Sequence, residues 1–114
     1  TCALPIFASG GTSWTSASDE RVKDIIEPID NAVKKLESWQ TVIGKYKLDE
    51  NGTRRPFLIA QDVLATFPEA VDTTNKEEYG LRYQDTIPLL VAAIKEQQAI
   101  ITDLKARIET LENK

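Results

Sequence analysis

The chain contains no histidine and no methionine, and Cys2 is its only cysteine. One thiol cannot close an internal disulfide, and a lone thiol without imidazole makes no zinc site. The missing histidine also removes the usual general base and the usual metal ligand. Any chemistry must therefore use carboxylates, Lys, Tyr, Ser or Thr, and neither a cofactor nor a metal is expected. Long apolar runs are absent too. No stretch reaches the length of a transmembrane helix, so no membrane partner is expected. Basic blocks are lacking: 14 Lys and Arg stand against 18 Asp and Glu, for a net charge of -4. Arg54-Arg55 is the one basic pair of note. A nucleic-acid partner needs a basic face, and none is expected here. Residues 1–11 have no positive start and too short an apolar run for a signal peptide. The chain begins with Thr1 and reads as a piece of a longer protein.

What is present fits one soluble domain: 114 residues, 41% hydrophobic and 28% charged. A domain of this size buries a modest core and can leave apolar surface for a partner. Composition divides it. Residues 1–17 are small and uncharged, and no charge precedes Asp19. Ile6, Phe7 and Trp14 are unusual in a solvated linker, so this segment reads as the extended end of an upstream β-structure.

Residues 19–86 read as a small mixed α/β region. Ile29, Val33 and Leu36 fall at helical spacing, with Asp30 as a candidate cap. Val42 to Leu48 and Phe57 to Ala60 flank Asn51-Gly52, a strong hairpin signal because both residues tolerate positive φ. A helix from about Ala60 to Phe67 is expected to stop before Pro68. Leu81 to Tyr83 reads as a strand.

Residues 86–114 read as one long helix, capped by Asp85 or Thr86, with Pro88 in the first turn. Ile87, Leu90, Ile94, Gln97, Ile101, Leu104, Ile108 and Leu111 step by alternating threes and fours. That is a heptad with Ile at a and Leu at d, broken by Gln97. Such a stripe can pack on its own domain. Its narrowness and regularity fit a partner helix better, and parallel self-association is the simplest solution. Ile at a with Leu at d leans toward two strands. Val91 and Ile100 at e and g widen the face toward three. Arg107 at g and Glu112 at the following e can pair between chains.

Ser18-Asp19-Glu20-Arg21-Val22-Lys23 stands at the composition boundary. It resembles the Ser-Asp-x-Arg-x-Lys motif that opens the C-terminal chaperone domains of endosialidase tailspikes and related phage fibres. Later blocks are similar in order: Ile26-Glu27-Pro28-Ile29, Leu58-Ile59-Ala60-Gln61-Asp62-Val63 with Phe67-Pro68-Glu69, and Tyr83-Gln84-Asp85-Thr86-Ile87-Pro88. Phe57 departs from the small residue expected there. The resemblance implies an intramolecular chaperone that trimerises a tail fibre or tailspike and then releases itself. It implies Ser18 as nucleophile, Lys23 as general base and Ala17–Ser18 as the cut bond, with Asp19, Glu20 and Arg21 as support. It also implies a virion tail precursor made in the host cytoplasm.

The chemistry is reasonable in itself. A serine hydroxyl needs a base, and with no histidine a lysine made neutral by burial can serve. Backbone N–H groups or Arg21 are candidate oxyanion stabilisers. Spacing adds a constraint. Five residues apart, Ser18 and Lys23 would stand about 140° apart around a helix. In an extended strand they would be roughly 16 Å apart. Either residues 18–23 turn, or the partners come from different chains.

The bland reading of the same residues is a helix cap at Ser18-Asp19 and a solvated Lys23, with Asp19, Glu20 and Asp24 as solvent-facing carboxylates. The fold expected is α+β: a small mixed region (residues 18–85) with a β-hairpin, then a helix over 86–114 in a parallel trimeric coiled coil. Three functions compete: a self-cleaving serine endopeptidase and chaperone, a non-cleaving trimerisation cap, and a receptor-binding fibre tip.

Overall fold

The computed structural model describes residues 15–114. The expected end of an upstream β-structure lies largely outside the described residues. The rest is mixed α/β with a hairpin and a long C-terminal helix. In chain order it contains α1 (Ala32–Leu36), β1 (Val42–Gly44), β2 (Arg55–Phe57) and α2 (Ala60–Thr66). Strands β3 (Val71–Asp72) and β4 (Gly80–Leu81) follow, and then α3 (Ile87–Glu112). Short 3-10 turns occupy Glu20–Val22, Pro68–Ala70 and Tyr83–Thr86. The strands form two antiparallel pairs: Val42 faces Phe57 across β1–β2, and Val71 faces Leu81 across β3–β4.

The core is small. Leu89 and Val63 are fully buried, surrounded by Ala32, Trp39, Phe67, Ala70, Val71 and Ala93. Burying a side chain the size of leucine contributes about 2 kcal/mol. Apart from Trp39 and Ala70, each of these apolar residues sits on an α-helix, at a helix end or on a short strand. They gather because Leu89, Ala92, Ala93 and Glu96 recur at helical spacing on the domain-facing side of α3. Small residues at 32, 92 and 93 let α1 lie close against that face.

Several local expectations are corrected. Helix α1 starts at Ala32, not near Ile29, and Asp30 does not cap it. Its N-terminal residue is Asn31, in the left-handed region at φ 49° with no side-chain cap. The exposed N–H groups are taken instead by Glu96 of α3, at 2.6 Å from Ala32 N and 3.2 Å from Val33 N. Asp30 lies 3.7 Å from Lys35.

The hairpin exists, but its strands are shorter than the apolar runs that mark it. Asn51 does not take positive φ; Gly52 alone does, at 66°. Residues 45–54 form a broad loop closed by Asp49, whose carboxylate accepts from Asn51 N and Thr53 N. Two local hydrogen bonds at Asp49 outcompete the tight two-residue turn. Phe57 packs edge-on against Tyr46, with ring centres 5.1 Å apart. Gly44 beneath it leaves room for the ring.

Strand β4 ends at Leu81, because Tyr83 has already entered the 3-10 turn that leads into α3. Thr86 is the N-cap residue of α3, one of the two expected, but its side chain makes no cap hydrogen bond. Thr86 donates its hydroxyl back to Tyr83 O at 2.6 Å, and Asp85 pairs with Arg82 at 3.1 Å. Pro88 sits in the first turn of α3 as expected, and α2 ends before Pro68 as expected.

Candidate functional site

Residues 18–23 turn. Asp19 is extended at φ -65° and ψ 132°, and its carboxylate accepts from Arg21 N at 2.9 Å. Two backbone bonds then close the turn: Val22 N to Asp19 O at 3.0 Å and Lys23 N to Glu20 O at 3.2 Å. A 3-10 turn rises only about 2 Å per residue, so it draws its two ends together where a strand would separate them. Lys23 Nζ consequently donates to Ser18 Oγ at 2.5 Å. The turn alternative raised by the spacing is the one adopted within a single chain.

Asp19 also organises Arg21. The guanidinium lies across the carboxylate, with Nη2 at 2.7 Å from Oδ2 and Nε at 3.1 Å from Oδ1. The side-chain bond from Arg21, with the backbone bond beside it, holds the Asp19 carboxyl below its usual value. The same bond raises Arg21 further. Nε and Nη2 of Arg21 are thus engaged by Asp19. Asp19 caps the turn as the bland reading holds, and that cap is what brings Ser18 and Lys23 together.

Ala17, Ser18, Glu20 and Lys23 are all exposed. The residues on both sides of the Ala17–Ser18 bond are exposed, and the Glu20 carboxylate makes no hydrogen bond or ion pair with Ser18 or Lys23. An amine serves as a base when it is removed from water. The single chain supplies the contact between the two side chains but not that dry surrounding.

The heptad stripe is exposed along its whole length. Ile94 and Leu111 are each 64% accessible, and Ile87, Leu90, Ile101, Leu104 and Ile108 are all exposed. Gln97 is exposed in the middle of the row. The alternative in which this stripe packs on its own domain is overturned. Helix α3 uses a different face, through Leu89 and Ala93, to hold the core. In the single chain Arg107 lies 3.8 Å from Asp103, an exposed pair of little energetic weight.

The later sequence blocks hold the scaffold. Asp62 accepts from Gln40 N at 3.0 Å and so fixes the entry to β1. Val63 and Phe67 are core residues. Tyr83 spans back to Leu58, its hydroxyl 3.1 Å from Leu58 N. Thr66 accepts from the Trp39 indole at 2.8 Å and donates to Lys35 O at 2.6 Å, joining α2 to α1.

Sequence reading missed Glu96 as the cap of α1, because no local pattern links residues 64 apart. It also missed Ile25 and Ile26 as surface features. They are exposed apolar residues in an acidic stretch, and that mismatch was a usable signal. Among the described residues no group of three or more His, Cys, Asp or Glu is placed to hold a metal ion. Among the described residues no helix is long and apolar enough to cross a membrane.

No curated protein and no solved structure gives a significant match to the chain. One family does match, over residues 18–72. That span opens on Ser18 and runs through the turn, α1, the hairpin and α2 to the end of β3. Over those residues the chain is similar to the family described as chaperone of endosialidase.

Proposed function

We propose that this chain is an intramolecular chaperone of a phage tail fibre or tailspike, which trimerises through α3 and frees itself by cutting Ala17–Ser18. The observation that carries the reading is the Lys23–Ser18 contact of 2.5 Å at the first residues of the family match. Ser18 and Lys23 are the catalytic residues; Asp19 and Arg21 position them.

The step balances without any other group. Lys23, in its neutral form, takes the proton from Ser18 Oγ. The oxygen attacks the carbonyl carbon of Ala17. As the tetrahedral centre collapses, the C–N bond breaks and the Ser18 nitrogen receives the proton from Lys23. An ester now joins Ala17 to Ser18 Oγ. Water hydrolyses it to an Ala17 carboxylate and a chain beginning at Ser18. The event happens once per chain, and a mature fibre released this way cannot regain its folding template.

Three features support assembly as the partner activity. The Ile and Leu stripe on α3 is exposed and regular, and such a row is stable in water only when another helix covers it. Val91 and Ile100 widen the row toward three strands. Lys23 lacks dry surroundings in one chain, so assembly supplies them and cleavage waits for it.

Intact mass under denaturing conditions tests the reading, using the folded chain and Ser18→Ala. A break between Ala17 and Ser18 in the former alone is expected. Trimers that both stay whole would leave a non-cleaving cap instead.

A further inference from the structure

An apolar groove of about 700 Å³ lies between the hairpin and the start of α3, lined by Val42, Ile43, Phe57, Leu58, Tyr83 and Leu90. We infer that this groove receives Ile25 and Ile26 of a second copy of the chain, so that each protomer's cleavage segment is clamped by its neighbour. The inference rests on the trimeric reading above and deepens it by naming the contact.

The occupant follows from what the segment exposes. Ile25 and Ile26 are 77% and 93% accessible, in a stretch with no regular structure. Two adjacent isoleucines left in water forgo the stabilisation that burial gives. Their own chain does not cover them. Ile29, three residues later, packs on the core and anchors the segment.

Charge selects the same match. Residues 19–30 carry Asp19, Glu20, Asp24, Glu27 and Asp30 against Arg21 and Lys23. The hairpin beside the groove carries Lys45, Lys47, Arg54 and Arg55 against Asp49 and Glu50. The arm and the hairpin whose strands line the groove are thus of opposite net charge, which favours their approach.

The span of the arm is comparable with the spacing of packed helices. Three extended residues from the Ile29 anchor span roughly 10 Å. Neighbouring helices in a bundle lie about 8–10 Å apart. The groove is also continuous with the α3 stripe, since Leu90 belongs to both. A helix that covers the stripe brings its own arm beside the groove.

The contact has a chemical consequence. Lys23 stands two residues before Ile25, so docking Ile25 and Ile26 draws Lys23 from water against apolar surface. That is the surrounding in which an amine works as a base. The neighbour contributes no catalytic group; it contributes cover. A chain that has not assembled stays intact.

Cross-linking tests this on the full chain carrying Cys2→Ser. One population also carries Ile26→Cys and the other Ile43→Cys, and the two are folded together and oxidised mildly. Both positions are exposed in one chain, so neither change disturbs its core. Solution mass is read by light scattering and cross-links on a non-reducing denaturing gel. Trimers with a disulfide between the two populations are expected. A second variant, Ile26→Asp, is expected to assemble as trimers and to cleave at least tenfold more slowly. Trimers without the cross-link would overturn the docking and leave the assembly reading standing. So would a doubly substituted chain that links only to itself, since the arm would then fold onto its own groove. Ile26→Asp trimers that cleave at the unsubstituted rate would overturn the coupling to the cut. Monomers under all conditions would overturn docking and trimer together.

Discussion

Glu96, in the middle of the long helix, caps the short helix that begins at Ala32: its carboxylate accepts from Ala32 N at 2.6 Å and from Val33 N at 3.2 Å. Two of the orphan N–H groups of α1 are satisfied by one side chain from another element. A five-residue helix has no stability of its own, so this tertiary cap and the burial of Ala32 decide that it forms. Glu96→Ala should destabilise the domain by about 1–2 kcal/mol. Glu96→Gln keeps one acceptor oxygen and should lose less. Urea denaturation of the three proteins checks the order.

The Ser18–Lys23 contact lies within one chain. Lys23→Ala should stop cleavage as completely as Ser18→Ala. Mixed trimers of the two inactive chains should also remain whole, because each chain lacks half of its own pair. Cleavage restored in the mixture would show that the pair is made between chains.

The Asp19–Arg21 pair sets the turn and is already ionised at every pH of interest. Arg21 depresses the Asp19 carboxyl, so the pair is fully present above the ordinary carboxylate value of about 3.9. It is lost only as pH falls through the lower folded value. Asp19→Asn keeps an oxygen for Arg21 N and loses the ion pair. Because the pair is exposed, the variant should cleave less than about fivefold more slowly. Its ratio to the unsubstituted chain should be the same at pH 5 and pH 8. Asp19→Ala, which also removes the cap, should be slower still. Cleavage rates followed by gel across that range are the check.

The exposed stripe of α3 predicts variants that separate folding from assembly. Ile94 is 64% accessible in one chain, so Ile94→Asp should leave the domain folded and monomeric. Light scattering and circular dichroism together read both properties. Gln97→Leu removes the polar layer and should raise the melting temperature while weakening control of register.

Leu89 is fully buried between α3 and the rest of the domain. Leu89→Ala should cost about 2–5 kcal/mol. The same change at Leu104, which is exposed in the single chain, should act on assembly alone. A monomeric background carrying Ile94→Asp distinguishes the two by thermal melting.

Much of the site was legible because its cause is local. The Ser18 to Lys23 spacing already required a turn or a second chain, and the cap at Asp19 supplies a turn in the single chain through bonds spanning three residues or fewer. The stop of α2 before Pro68 and the position of Pro88 follow from proline's own geometry. The hairpin was legible in place but not in form. Asn51-Gly52 marks a reversal, yet Asp49 gathers the nearby N–H groups into a wider loop.

Residue order determined the stop of α2, the heptad on α3 and the turn that joins Ser18 to Lys23, because periodicity and short-range hydrogen bonding are properties of neighbours along the chain. Only the tertiary structure decided which face of α3 serves the domain. The row of Leu89, Ala92, Ala93 and Glu96 is short and half made of alanine, so its hydrophobic signal is weaker than that of the isoleucine stripe beside it. It wins the domain contact because small residues let α1 approach and Glu96 satisfies backbone groups that nothing nearby can reach. The larger, more regular stripe is left exposed in the single chain.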